Sequence, residues 1–341
     1  MSLNKSNRRI RLKSRPDGMP DEGTWELNRA AIRSPDANEI LVKVSYVSID
    51  PAMRGWISDQ ESYLPPVAIG ETMRALAIGQ VLESQHEAYQ TGDFVSGMFG
   101  VQEYATLQPD ASVAVIDPQL AALTTQLGVL GMPGMTAYFG LLDVGQPKQG
   151  ETLLVSGAAG AVGALVGQIG RLQGCRVVGV AGGREKCEFL TDVLGFDDAI
   201  DYKAEKDLGA ALGRACPEGI DIFFDNVGGD LLEATLFHLS HRARVVICGA
   251  ISQYNCADSV SAQINYIPIL YRSARLEGFV VLDYMPRYGE AVEALSGWLS
   301  EDLICPHEDV REGIEKFPQT LNALFSGKNF GKLILKLDTA E

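Results

Sequence analysis

Two clusters in the middle of the chain have the residue types and spacing to hold a phosphorylated ligand. The first is Gly157-x-x-Gly160-x-x-Gly163, inside the stretch ETLLVSGAAGAVGALVGQIGRLQG that runs from Glu151 to Gly174. The second is the pair Arg184 and Lys186, in Gly182-Gly183-Arg184-Glu185-Lys186. Glycine lets backbone N–H groups come close to a pyrophosphate, and a cation answers the charge of a phosphate. Taken alone, the glycines equally suit a tight strand-to-helix turn with no ligand.

The flanking elements decide between the two readings. Thr152 to Ser156 is a short apolar run with β-branched residues, as expected of a buried parallel strand. Gly160, Gly163, Ala164 and Gly167 fall at i, i+3, i+4 and i+7, so the helix that follows carries one almost bare face. Such a face lets backbone approach a pyrophosphate and lets the helix lie close on its sheet. Gly174 supplies a C-cap, and Cys175 to Ala181 forms a second strand. Strand, bare-faced helix and strand together make a dinucleotide-binding βαβ unit.

An NAD-selective unit of this type ends its second strand on Asp or Glu, which bonds the adenosine ribose. Here the strand ends Val180-Ala181-Gly182-Gly183, and the cations Arg184 and Lys186 follow. They could be ordinary solvated charges opening a helix. Cations are unfavourable at a helix N-terminus, so a 2′-phosphate partner explains them better. NADPH is therefore expected over NADH.

The remaining composition narrows the class. At 341 residues the chain exceeds one ordinary core, so two domains are expected. A net charge of −15 argues against nucleic acid and anionic membrane as partners. A basic run (Lys5, Arg8, Arg9, Arg11, Lys13, Arg15) meets no acid within it and reads as a solvated first strand. Pro118 to Leu142 has no charge, but its prolines, glycines and polar residues suit a buried helix and loop, not a membrane span. The six cysteines show no C-x-x-C pairing, which fits a reducing cytoplasmic compartment. The first 150 residues hold no cysteine and only one histidine, His86, and His238 and His241 read as a surface pair. No zinc ligand set is expected, so the chemistry must run without metal.

Along the chain, Glu39 to Ile49, Ala77 to Leu82 and Asp93 to Met98 read as strands, so residues 1–126 form a small β-barrel or sandwich. Residues 127–300 alternate strand and helix: 152–156, 175–181, 199–201, 220–224, 244–248 and 276–282 are the strands. That rhythm is an α/β fold with a doubly wound parallel sheet. Residues 301–341 end in a strand, Lys332 to Leu337, which is expected to pair back with the N-terminal half.

Motifs spread over nearly the whole chain resemble the zinc-independent medium-chain dehydrogenase/reductases. They are most similar to the leukotriene B4 dehydrogenase/prostaglandin reductase and alkenal double-bond reductase branch, which includes bacterial curcumin reductases. The motifs are Ser48-Ile-Asp-Pro-Ala-Met-Arg54, Met132-Pro-Gly-Met-Thr-Ala-Tyr138, Ala158-Ala-Gly-Ala-Val-Gly163, Ala181-Gly-Gly-Arg-Glu-Lys186 and Phe224-Asp-Asn-Val-Gly-Gly229. Cys248-Gly-Ala-Ile-Ser-Gln-Tyr254, Glu277-Gly-Phe-Val-Val281 and Asn329-Phe-Gly-Lys332 complete them.

The resemblance implies a GroES-like β-barrel catalytic domain and a Rossmann domain, with NADPH in the cleft between them. It implies that Gly160, Ala161, Val162 and Gly163 hold the pyrophosphate, and that Lys186 and Tyr202 meet the 2′-phosphate. Asn226 and the run Cys248, Gly249, Ala250, Ile251, Ser252, Gln253 and Tyr254 would line the cofactor. Phe279, Val280 and Val281 would contact the nicotinamide, with Asn329 returning from the C-terminal segment. Tyr271 matches the family's catalytic tyrosine, expected to bond the nicotinamide ribose and support an enolate. The implied reaction gives hydride from NADPH to the β-carbon of an α,β-unsaturated aldehyde or ketone, in a homodimer. Quinone reduction and cofactor binding without turnover are the alternatives. Ala52 stands where relatives commonly carry a tyrosine that walls the substrate pocket.

Overall fold

The structure is a computed structural model and describes residues 6–59, 64–256 and 264–337. It divides into two compact units, one built from residues 1–127, 308–329 and 333–341, the other from residues 128–307 and 330–332.

The first unit is β-rich. Its strands are β1 (Ser6–Leu12), β2 (Trp25–Ala31), β3 (Ile40–Ser48), β4 (Ala77–Ser84), β5 (Phe94–Gly97), β6 (Tyr104–Leu107) and β7 (Ala114–Ile116). β1 and β2 pair antiparallel as a ribbon. Basic residues of β1 and of the segment after it are answered from outside the run: Arg8 by Glu103 (2.8 Å), Arg11 by Glu26 (3.4 Å) and Arg15 by Asp59 (2.5 Å). The expectation of a merely solvated strand is corrected accordingly, because ribbon and loop partners distant in sequence supply the acids. Lys5 lies outside the described residues.

The second unit is the one that positions the glycine turn. Its strands are β8 (Thr152–Ser156), β9 (Arg176–Ala181), β10 (Asp198–Asp201), β11 (Ile220–Asp225), β12 (Leu239–Ile247) and β13 (Arg275–Gly278). All adjacent pairs are parallel, in the order β10-β9-β8-β11-β12-β13. The chain starts at β8 in the middle, winds outward to β10, then returns to β11 and winds the other way. The reversal lies between β8 and β11, and open α/β sheets bind ligands outside the C-terminal strand ends at such a point. Leu153, Leu154, Val155, Ile222, Phe223 and Phe224 are fully buried in the two central strands, as a sheet covered on both faces requires.

Two strand boundaries differ from the sequence reading by more than two residues. β12 begins at Leu239, five residues before the expected start, and takes Arg242 in the left-handed region (φ 62°) before pairing regularly. β13 stops at Gly278, and Val281–Arg287 coils into a 3-10 turn that the apolar run Phe279 to Leu282 did not announce.

The chain then adds β14 (Glu308–Glu312) and β15 (Lys332–Lys336). β15 pairs antiparallel with β3, Ile334 opposite Ser48, as expected of a returning C-terminal strand. The sheet they join runs β14-β15-β3-β4-β5-β7, with β6 also on β3. Its core includes Val42, Val44, Ile49, Met53 and Leu335, and Trp25 meets Phe317 edge-on at 5.0 Å. No helix among the described residues is long and apolar enough to cross a membrane.

Candidate active site

The turn after β8 is shaped by three close approaches. Gly157 adopts φ 57°, which favours glycine, and the Ala161–Leu172 helix starts at once with Gly160 as its N-cap. A Cβ on Gly163 would lie 2.4 Å from the Gly157 carbonyl oxygen, and one on Gly167 would lie 1.9 Å from the Phe196 ring. A Cβ on Gly170 would lie 2.3 Å from Leu153. The bare face is therefore spent mostly on packing the helix against its sheet and Phe196. Gly160 is less crowded: its Cβ would meet only the Gly157 carbonyl oxygen, at 3.1 Å. Gly160, Ala161 and Val162 are half-buried at the head of the helix, while Gly163 is buried. The residues at this turn fit a pyrophosphate approaching the helix N-terminus.

A network that sequence reasoning missed holds the turn to the neighbouring strand end. Ser156, the last residue of β8, donates through Oγ to Asp225 Oδ1 (2.7 Å), the last residue of β11. Asp225 also accepts from the N–H groups of Val227 (2.9 Å) and Gly228 (3.0 Å). Asn226 donates through its backbone to Ser156 Oγ and through its amide to the Ser156 carbonyl, both at 2.7 Å. Burial pushes the Asp225 carboxyl above its ordinary range, and the N–H groups and Ser156 hydroxyl oppose that rise. Both residues end strands adjacent in the sheet, which the sequence could show only once the strand order was known.

The next segment closes over this network. The N–H groups of Cys248 (2.9 Å) and Gly249 (3.1 Å) donate to the Asp225 carbonyl, and that of Ile251 to the Asn226 carbonyl (3.2 Å). Ser252 donates through Oγ to the Val227 carbonyl (2.6 Å). Tyr254 folds back so that its hydroxyl accepts from Ala250 N–H (3.2 Å). Burial pushes the Tyr254 phenol above its ordinary value. Burial also pushes the Cys248 thiol up, to about 12, so it is no nucleophile. Gln253 is half-buried in the same turn.

Phe279 follows the C-terminal end of β13 and meets Phe224 and Tyr284 edge-on, both at 6.4 Å. Gly140 makes room for it, since a Cβ there would lie 2.5 Å from the Phe279 ring. Val280 is exposed, and the Val281 carbonyl accepts from the Tyr288 hydroxyl (3.1 Å). Phe330–Gly331 adds a brace: Gly331 N–H donates to the Ala159 carbonyl (2.9 Å) beside the glycine turn. Phe330, His307 and Phe189 form an aromatic triplet with ring centroids 4.6–4.8 Å apart. Asn329 belongs to the first unit, where it is half-buried, and Ala52 packs partly buried against that unit's core.

At the far end of β9, Arg184 is 89% exposed and its Nε lies 2.5 Å from Glu188 Oε1. Lys186 is half-buried in the same turn. Tyr202 comes alongside because β10 pairs with β9, and its N–H donates to the Ala181 carbonyl (3.1 Å).

Tyr271 stands apart from the residues above. It ends a short helix, Ile267–Tyr271, and lies before β13, while Phe279 lies after it. The four residues of β13, at about 3.3 Å each, put roughly 13 Å of strand between the two ends. Arg272, the next residue, accepts from Arg242 N–H near the N-terminal end of β12. Tyr271 is 78% exposed there, at the opposite edge from Gly157, Asn226 and Tyr254. The sequence reading put Phe279 inside a strand over 276–282; with that strand ending at Gly278, the whole of it lies between Tyr271 and Phe279.

With this geometry in view, comparison with known proteins is informative. Residues 8–115 match the N-terminal domain of oxidoreductases and residues 161–297 the zinc-binding dehydrogenase domain. The NADPH-dependent curcumin reductase of Escherichia coli (strain K12) is 46% identical, over 97% of each chain. The chain belongs to the zinc-independent medium-chain dehydrogenase/reductases. It is an NADP-dependent oxidoreductase, with a Rossmann sheet and a GroES-like domain. The 2-alkenal reductase (NADP+-dependent) of Nicotiana tabacum is 40% identical over 97% of each chain. The crystal structure of CurA from Vibrio vulnificus in complex with NADPH superposes with a TM-score of 0.93 at 41% identity, covering 98% of this chain and all of that one. Among the described residues no three His, Cys, Asp or Glu side chains gather as a metal site would need.

Proposed function

We propose that this oxidoreductase reduces the carbon–carbon double bond of α,β-unsaturated aldehydes or ketones. The observation that carries the reading is full-length identity of 46% and 40% to a curcumin reductase and a 2-alkenal reductase. Bound NADPH supplies the hydride, which reaches the β-carbon; the enolate then takes a proton, and the products are the saturated carbonyl and NADP+.

In this reading Gly160 to Gly163 hold the pyrophosphate, and Lys186 and Tyr202 meet the 2′-phosphate. Asn226 and Cys248 to Tyr254 line the cofactor, Phe279 to Val281 face the nicotinamide, and Asn329 contributes from the C-terminal segment. Asp225 positions Asn226 and Ser156. The phenol best placed to donate toward a developing enolate, directly or through the ribose, is Tyr254. It stands at the same sheet edge as Asn226, and its hydroxyl already accepts from Ala250 N–H, which leaves its proton free to donate.

The same proposal includes a homodimer joined along β13 and a reducing compartment, the latter supported by six free cysteines. The test follows NADPH oxidation with 2-alkenals, enones and benzoquinones. Alkenal or enone turnover is expected to exceed benzoquinone turnover, and the reverse order would make the chain a quinone reductase. Tyr254→Phe should lower kcat by roughly ten- to a thousandfold, the scale for one lost donor, while Tyr271→Phe stays near wild type. The opposite pattern returns the catalytic role to Tyr271.

A further inference from the structure

The cations near the end of β9 are not equally available to a phosphate. The Arg184 charge is already answered by Glu188 one turn along its own helix. Lys203, on the neighbouring strand end, is differently placed. β10 runs beside β9 with Asp201 opposite Ala181, so Tyr202 and Lys203 flank Gly182 and Gly183. The Asp201 carboxylate accepts from Gly183 N–H (2.8 Å) and from Lys203 N–H (3.0 Å), tying the two turns together. The Lys203 side chain folds back over Gly182: a Cβ there would lie 2.9 Å from Lys203 Cε and 2.9 Å from the Tyr202 hydroxyl. Its ammonium sits 5.9 Å from the centre of the Tyr202 ring. Among the described residues no carboxylate lies within ion-pair distance of it.

An ammonium held beside a phenol, over a residue with no side chain and without a carboxylate partner, has the setting a phosphate would use. We infer that Lys203 is a specificity-determining residue of the NADPH site, meeting the 2′-phosphate together with Tyr202, and that Arg184 contributes little. This rests on the reading above that the adenosine end of the cofactor lies at Gly182 to Lys186. A charge-assisted hydrogen bond to phosphate contributes about 1.5–3 kcal/mol, or roughly ten- to a hundredfold in affinity.

The experiment is calorimetric titration of the full chain with NADPH, NADH, 2′,5′-ADP and 5′-AMP, needing no turnover. Lys203→Ala should weaken NADPH and 2′,5′-ADP by roughly tenfold or more and leave NADH and 5′-AMP within about twofold. Lys203→Arg should restore most of the affinity, and Arg184→Ala should change little. If Lys203→Ala leaves the NADPH-to-NADH ratio intact while Lys186→Ala collapses it, the phosphate site stands and the role of Lys203 is wrong. Equal weakening of all four ligands by Lys203→Ala also overturns it, since that marks a structural lysine. If neither lysine substitution nor Tyr202→Phe moves the ratio, the placement of the adenosine end itself fails.

Discussion

Asp225 accepts hydrogen bonds from Ser156, Val227 and Gly228 while fully buried, and its backbone carbonyl receives the N–H groups of Cys248 and Gly249, just after β12. A carboxylate in that position is held by oriented N–H groups, which makes it a positioning residue for the turn carrying Asn226. Asp225→Asn keeps the shape but sets an amide NH2 against the Gly228 N–H. A buried donor left without an acceptor costs about 1–3 kcal/mol. The expected result is a fall in unfolding free energy of about that size in urea, together with weaker NADPH binding by fluorescence titration. An unchanged denaturation midpoint would show that the network is not holding the turn. None of this was legible in the residue order, where Asp225 is one acid in a turn-like Asp-Asn-Val-Gly-Gly. Val227 and Gly228 adjoin it, but Ser156 reaches it from β8, which precedes β11 by two strands and the helices around them.

Elements were more legible than residues, for a physical reason. β8, the Ala161–Leu172 helix and β9 are local patterns: a β-branched apolar run, a face of small residues at helical spacing, and a second apolar run. Pairing is not local, so the adjacency of Lys203 to Gly182 emerged only from the sheet. The same holds for Glu151 and Arg244, which join the start of β8 to β12. Arg244 Nη1 donates to Glu151 Oε1 (2.9 Å), Nη2 to Oε2, and Nε to the Gly145 carbonyl (2.9 Å). Burial alone would push the Glu151 carboxyl up; the Arg244 guanidinium and Lys148 N–H outweigh it and hold the carboxyl below its usual range. A carboxyl lowered on folding adds stability above its unfolded pKa, near 4.3, and loses it as pH falls through the folded value. Glu151→Gln should therefore be less stable than wild type at pH 7 by about 1.5–3 kcal/mol, and the gap should close below about pH 4. A gap that is constant from pH 7 to pH 3 in thermal unfolding would assign the loss to packing instead of charge.

At the scale of the whole molecule, the six-stranded sheet has two ends of different character. β10, at one end, is half-buried or buried throughout. β13, at the other, is exposed at all four residues, and Leu276 is 41% exposed. Nearby in sequence, Ile264, Tyr266, Ile267, Leu270 and Tyr271 are exposed as well. A bare strand edge with apolar neighbours is a template for pairing, which natural proteins either blunt or use. Within β13 the only guards are Arg275 and Glu277, which pair with each other at 3.4 Å and could equally pair across a two-fold axis. A two-fold axis across β13 would let one copy satisfy the other antiparallel, Arg275 of each approaching Glu277 of its partner and continuing one sheet into the next. The net charge of −15 per chain opposes that association and is screened by salt, so added salt should strengthen the dimer. Leu276→Lys would bury a charge near the axis in both copies at once. Sedimentation velocity should then show the wild-type chain at twice its 36.8 kDa mass and Leu276→Lys at the monomer mass. NADPH affinity should be nearly unchanged, because the glycine turn and the Asp225 network lie on β8 and β11 in the middle of the sheet. A wild-type chain that sediments as a monomer at micromolar concentration, in low and high salt alike, would leave the β13 edge without a partner of its own kind.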